Sequence, residues 1–293
     1  MKSISITSGK GGVGKTNISI NLALALAKRG LRVLLLDADM GLANVDVLLG
    51  IHAERTLYDV VTNDLSLRDI LVHVSDHLDL LPAHSGVLRL ERLSDTDRTR
   101  LVDELDGLCE GYDALLIDTG AGIGENVLFF NDLADRVLLV TVPEPTALTD
   151  TYAMIKILNR SYGVDSMSLI VNQAATAAVA ANVHEKLEEV SDRFLGLSLA
   201  LAGSLPSDPA VCSAVQARTA VLEHDGESPF ARGIRAMAAR LASELEGLPR
   251  RQQSFWRDWI ERQLRTRALS NQPRSQLHSH PECEEPSTLQ NKH

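Results

Sequence analysis

The chain predicts an open, doubly wound α/β fold, a mostly parallel sheet with helices on both faces, and three observations carry that expectation. Apolar runs of strand length recur at Ser3 to Thr7, Arg32 to Asp37, Leu78 to Pro82, Ala114 to Asp118, Val137 to Val142, Ser168 to Asn172 and Leu197 to Ala202, with segments of helical period between them. Two runs, Val33-Leu34-Leu35-Leu36 and Ala114-Leu115-Leu116-Ile117, are apolar at every position instead of alternate ones, as strands covered on both sides require. The segment after the first run, Gly9-Lys10-Gly11-Gly12-Val13-Gly14-Lys15-Thr16, satisfies G-x-x-x-x-G-K-[ST] and stands where a strand hands over to a helix.

The first strand and its loop define the chemistry. Glycines let consecutive backbone N–H groups turn inward around phosphate oxygens, and the following helix adds its dipole. Lys15 neutralises the β- and γ-phosphates, and Thr16 offers a hydroxyl to Mg²⁺. Gly9 through Asn17 is therefore the expected nucleotide cradle. The second strand releases Asp37 and Asp39, two carboxylates at i and i+2, where ligands bind in doubly wound sheets. Asp39 also suits a helix N-cap. The run Ala114 to Ile117 ends on a third acid, Asp118, followed by Thr119-Gly120-Ala121-Gly122-Ile123.

Composition narrows the class. The 293 residues, 44% apolar and 23% charged, are enough for a large core, and a formal net charge of -10 works against a broad basic face for nucleic acid. Cys109, Cys212 and Cys283 are odd in number and far apart, which offers neither a disulfide framework nor a zinc spacing. Met1 is followed so closely by the first strand and the glycine loop that a secretory leader does not fit. A helix to about Glu246 is expected to close the domain at Gly247-Leu248-Pro249. From Arg250 to Arg267 there are six arginines against two acids, and both tryptophans fall there. At helical spacing Phe255, Trp256, Trp259, Ile260 and Leu264 share one half of the circumference, while Arg257, Asp258, Glu261, Arg262 and Arg265 fill the other. That pattern suits an anionic membrane surface, with packing back on the body as the plainer reading. From Ser270 onward the chain is polar and proline-spaced and is expected to be disordered; His278, His280 and Cys283 in it lack a fourth ligand.

Lys10 is the most informative residue of the loop, because Lys15 already supplies the phosphate charge. Lys10-Gly11-Gly12-Val13-Gly14-Lys15-Thr16 resembles the deviant Walker A motif of the MinD/ParA family of P-loop ATPases. The resemblance covers about residues 1 to 246 and implies ATP and Mg²⁺ as cofactors, with Lys10 reaching across an ATP-bound homodimer to the partner's nucleotide. It implies that Asp37 to Gly50 is switch I, with Asp39 positioning or deprotonating the attacking water and Asp37 close to magnesium. Asp118 would then open Walker B and switch II and hold the metal, usually through water. Asn172 and the segment Gly203 to Pro209, with Pro206 in it, resemble the family's base pocket; an amide can give adenine both a donor and an acceptor.

Leu42 to Asp46, Asp118 to Ile123 and Glu144 to Ala153 resemble the flagellar number regulators of the FlhG/FleN type within that family. What this implies is an ATP-dependent dimerisation switch with slow hydrolysis, reversibly peripheral at the cytoplasmic membrane, working with flagellar assembly or transcriptional regulatory proteins. Direct DNA binding is not expected. The alternatives are division-site placement of the MinD kind and DNA partitioning of the ParA kind. Many of these regulators carry an N-terminal D-Q-A-x-x-L-R extension that stimulates a signal-recognition-like GTPase; this sequence starts directly at its first strand, so the resemblance extends to the ATP switch and leaves that stimulation open. The expected division is 1–247 for the ATPase domain, 249–269 for an amphipathic helix and 270–293 for a tail.

Overall fold

A computed structural model describes residues 1–39, 45–51, 55, 59–60, 65–82, 94–247 and 257. Among them eight strands form one sheet: β1 (Lys2–Ser8), β2 (Val33–Ala38), β3 (Val72–Ser75), β4 (Leu78–Pro82), β5 (Ala114–Ala121), β6 (Arg136–Thr141), β7 (Met167–Val171) and β8 (Ala200–Ser204). Their order is β3-β4-β2-β5-β1-β6-β7-β8, parallel throughout except for the antiparallel pair β3 and β4. The two runs that are apolar at every position became the paired interior strands β2 and β5, of which β5 lies beside β1.

The helices are α1 (Lys15–Ala27), α2 (Val45–Leu49), α3 (Asp95–Cys109), α4 (Glu125–Leu133), α5 (Pro145–Tyr162), α6 (Ala177–Leu195), α7 (Pro209–Gln216), α8 (Val221–His224) and α9 (Pro229–Gly247). Strand periodicity assigns the two faces. Leu116 of β5 joins the core formed with α1 and α9, while its neighbours Leu115 and Ile117 pack with α3 and α4. In β6, Leu138 and Val140 face α1 and α9, and Val137 and Leu139 face α5 and α6. Helix α1 is buried continuously from Ile18 to Ala27 because it is enclosed between the sheet and α9.

Two strands differ from expectation. The edge strand β3 is not visible in the apolar pattern, since its sequence Val-His-Val-Ser is only partly covered and it is held by a tight return to β4. The last strand begins at Ala200, not Leu197, because its ladder with β7 starts at the pair Ser168 and Ala200; Leu197 and Leu199 are buried as the chain approaches it. The closing helix is described to Gly247, and Leu248 and Pro249 of the expected stop lie outside the described residues. The segments 249–269 and 270–293, with Phe255, Trp256, Trp259, Ile260 and Leu264, lie outside the described residues, except that Arg257 pairs with Asp103 of α3 at 3.1 Å. Among the described residues no helix is long and apolar enough to cross a membrane.

Candidate functional site

The loop between β1 and α1 takes its shape from its glycines. Gly14 caps α1 at φ 89° and no side chain caps that end, so the first-turn N–H groups of the helix are left for an anion. Gly9 is required by packing, since a Cβ there would stand 2.4 Å from the backbone of Asp150 in α5. At the far end of the loop Lys15 is buried, and its Nζ donates to Asp118 Oδ1 at 2.9 Å, with side-chain exposures of 7% and 0%. Ser19, one turn on in α1, donates to the same oxygen at 2.8 Å. The sequence reading missed Ser19, although its i+4 spacing from Lys15 places both on one helix face.

Two carboxylates converge beside this pair. Asp37 and Asp118 are register neighbours on β2 and β5 and share the face that looks toward α1, as parity with Leu35 and Leu116 requires. Both are buried, at 1% and 0% exposure. Asp37 accepts from the backbone N–H groups of Asp39 and Val45, each at 3.2 Å, two points of the expected switch I segment. The second oxygen of Asp118, Oδ2, is buried with no hydrogen-bond partner. Two adjacent buried carboxylates with one oxygen unsatisfied need positive charge beyond Lys15 alone, and this donor set fits a hard cation such as Mg²⁺. Asp39 stands at the exit of β2, and a Cβ at Gly120, in the expected switch II, would lie 3.6 Å from its Oδ1.

The other end of the loop is arranged differently. Lys10 Nζ donates to Glu144 Oε2 at 2.6 Å and to Thr146 Oγ1 at 3.1 Å, across the start of α5, with side-chain exposures of 36% for Lys10 and 56% for Glu144. Glu144 as the holder of Lys10 was not foreseen, because the two are 134 residues apart. Asn172 is buried at the exit of β7, and its Nδ2 donates to Val13 O at 2.8 Å, so its amide donor braces the phosphate loop. A Cβ at Gly14 would collide with that nitrogen at 2.5 Å, a second reason for glycine there. The segment carrying Pro206 is joined to the same strand exit, since Leu205 N donates to Val171 O at 2.9 Å and Ala174 N to Leu205 O at 3.0 Å. The structure thus gathers Gly9 to Asn17, Asp37, Asp39, Asp118, Asn172 and Pro206 at the carboxyl end of one sheet.

A phosphate loop with two lysines, opposed by paired strand-end carboxylates, defines a nucleotide-dependent ATPase of the deviant P-loop kind. Residues 1–168 match the AAA_31 family, described as an AAA domain, and the chain belongs to this family of MinD/ParA-type ATPases. It is 44% identical to the antiactivator FleN of Pseudomonas aeruginosa over 240 residues, covering 82% of this chain and 86% of that one. It is 36% identical to the flagellum site-determining protein YlxH of Helicobacter pylori over 247 residues, 84% of this chain and 83% of the other. Among solved structures it is similar to the septum site-determining protein MinD of Pyrococcus horikoshii in complex with Mg-ADP, with a TM-score of 0.64, 26% identity and coverage of 84% and 99% of the two chains.

Proposed function

We propose that this protein is an ATP-driven dimerisation switch that controls the number or placement of flagella at the cytoplasmic membrane. The observation that carries the reading is the asymmetry of the loop: Lys15 is locked on Asp118 inside the fold, while Lys10 is held on an exposed acid at the rim. ATP would draw Lys15 to its β- and γ-phosphates, with Gly9 to Asn17 as cradle. Asp118, relieved of that lysine, would hold Mg²⁺ with Thr16 and Asp37, and the metal would neutralise charge developing on the transferred phosphoryl group.

Lys10 would leave Glu144 for the nucleotide of a second copy, completing a face-to-face dimer. Asp39 would orient the attacking water, and hydrolysis would release the dimer. On the base side, Asn172 and Pro206 would flank adenine, with Asn172 also bracing the loop. The similarity to an antiactivator and to a flagellum site-determining protein supports a regulatory or assembly protein as partner. The Phe255, Trp256, Trp259, Ile260 and Leu264 stripe would bind the membrane once two copies act together, because a second insertion on one dimer is effectively intramolecular.

The test uses Asp39→Ala, which should hydrolyse ~100-fold more slowly yet bind ATP and accumulate as a dimer. In sedimentation with anionic liposomes this variant should pellet with ATP and stay in solution with ADP, and Trp256→Glu plus Trp259→Glu should abolish pelleting. Parental hydrolysis by Asp39→Ala, or pelleting that ignores the nucleotide, overturns the reading.

A further inference from the structure

Behind the sheet lies a buried polar cluster that none of the nucleotide contacts uses. Asp118 and Thr119 are consecutive on β5, so when Asp118 looks toward α1 its neighbour looks to the opposite face. There Thr119, Thr7 of β1 and Asn131 of α4 meet, all at 0% exposure. Asn131 Nδ2 donates to Thr7 Oγ1 at 3.1 Å and to Val127 O at 2.8 Å. Thr119 Oγ1 lies 2.9 Å from Thr7 Oγ1, 2.9 Å from Gly120 O and 3.2 Å from Ile6 O. One hydroxyl hydrogen cannot serve three acceptors at once, so the Gly120 carbonyl is one of three that Thr119 can reach.

The amide orientation of Asn131 is fixed by chemistry: Val127 O only accepts, so the group facing it is the NH₂. Asn131 Oδ1 is therefore the atom left without a partner, and it is fully buried. An apolar side chain of the same branching would carry no unsatisfied oxygen there, and a buried amide with one side unsatisfied calls for an explanation. The path from this cluster leads to the reaction. Thr119 Oγ1 is within hydrogen-bond reach of the Gly120 carbonyl, and a Cβ built at Gly120 would lie 3.6 Å from Asp39 Oδ1. In the other direction Thr7 reaches Met154 Sδ of α5 at 3.6 Å.

We propose that Asn131, Thr7 and Thr119 are positioning residues for hydrolysis: they set the Gly120 peptide from behind the sheet and through it fix where Asp39 holds its water. The inference rests on the hydrolytic role proposed above for Asp39. It makes α4, which carries Asn131 and starts just after switch II, the element through which packing on the back of the sheet governs the rate.

The experiment is ATP hydrolysis and ATP affinity on the full chain, with thermal unfolding recorded for each variant. Thr119→Val, which keeps shape and loses the hydroxyl, should lower kcat by about 10-fold to 100-fold and leave KM and affinity within about 2-fold. Thr119→Ser should restore the rate. Asn131→Leu should slow hydrolysis in the same way without lowering the unfolding temperature, a result that a purely structural asparagine would not give. Because the residues act through Asp39, Asp39→Ala combined with Thr119→Val should be no slower than Asp39→Ala alone. Parental kcat in both Thr119→Val and Asn131→Leu, multiplied losses in the double variant, or a fall in kcat matched by lost affinity overturns the proposal. If Asp39→Ala itself hydrolyses at the parental rate, the underlying reading fails instead, which a fully active Thr119→Val beside an inert Asp39→Ala would not imply.

Discussion

The two ends of the phosphate loop carry the same side chain in opposite circumstances. Lys10 makes the shorter ion pair, 2.6 Å to Glu144, but 36% of its side chain and 56% of its partner's are in solvent. Lys15 makes the longer one, 2.9 Å to Asp118, and almost nothing of either group is exposed. Length therefore ranks them wrongly. In water the attraction between exposed charges is largely screened, and holding two long side chains together costs entropy that offsets most of it. In the interior each charge depends on the other, because neither can be solvated if the pair breaks. The lesson is that one loop contains a charge buried within its own fold and a charge that can leave at little cost, which is what the proposed dimer would require of Lys10.

The largest effect expected from breaking this contrast is at the buried end. Lys15→Met removes the cation and strands Asp118 beside Asp37. Breaking a buried pair from one side costs about 3–5 kcal/mol, so the unloaded variant should unfold at markedly lower urea. Asp118→Asn in the same chain should recover most of that loss, since the stranded charge is gone, while ATP affinity stays low because the phosphate lysine is still missing. If Lys15→Met is as stable as the parent, burial is not what distinguishes the two ends.

Much of this end of the molecule is legible in sequence, and the reasons are local. The loop spacing and the strand before it are contiguous, and β2 and β5 announce themselves by runs with no polar position. What escapes is set by contacts between distant residues. Glu144 meets Lys10 across 134 residues, and Asn131 meets Thr7 across 124. Nothing in a single sequence pairs them. The edge strand β3 escapes for a different reason: a partly covered strand of four residues has no long apolar run, and only its ladder with β4 makes it a strand. Asn172 is a mixed case, since its place at a strand end is readable but its donation to Val13 O depends on how closely β7 approaches the loop.

A half-buried pair at the opposite end of the sheet supplies an intermediate point on the same scale. Tyr112 donates from its phenol to Asp79 at 2.5 Å, and Asp79 also meets His73 Nδ1 at 2.9 Å. Burial first, then the hydrogen bond to Asp79, pushes the Tyr112 phenol well above its usual range. A raised folded value means that the neutral phenol is favoured by folding. Its contribution is fully present below the unfolded value of about 10 and is lost as pH rises beyond it toward the folded one. Tyr112→Phe should cost about 1 kcal/mol near neutrality and should flatten the loss of stability between pH ~9 and ~11. Urea unfolding of both proteins across that interval is the measurement, and parallel slopes would remove Tyr112 from the alkaline transition.

The smallest expected effect on folding belongs to Lys10. Lys10→Met keeps the aliphatic stem and removes the charge, releasing an exposed Glu144 that water can solvate at once. An exposed pair contributes about 0–1 kcal/mol, so the urea midpoint should stay close to the parental one and should shift no further in high salt. ATP binding to the monomer should be retained, because Lys15 and the glycine cradle are intact. The loss should appear in the ATP-dependent dimer, measured by light scattering over a protein concentration series with Asp39→Ala present to suppress hydrolysis. A variant unchanged in both stability and dimerisation would reduce Lys10 to a solvated charge on the rim. A variant as unstable as Lys15→Met would erase the distinction between the two ends, since an exposed pair would then be supporting the fold as a buried one does.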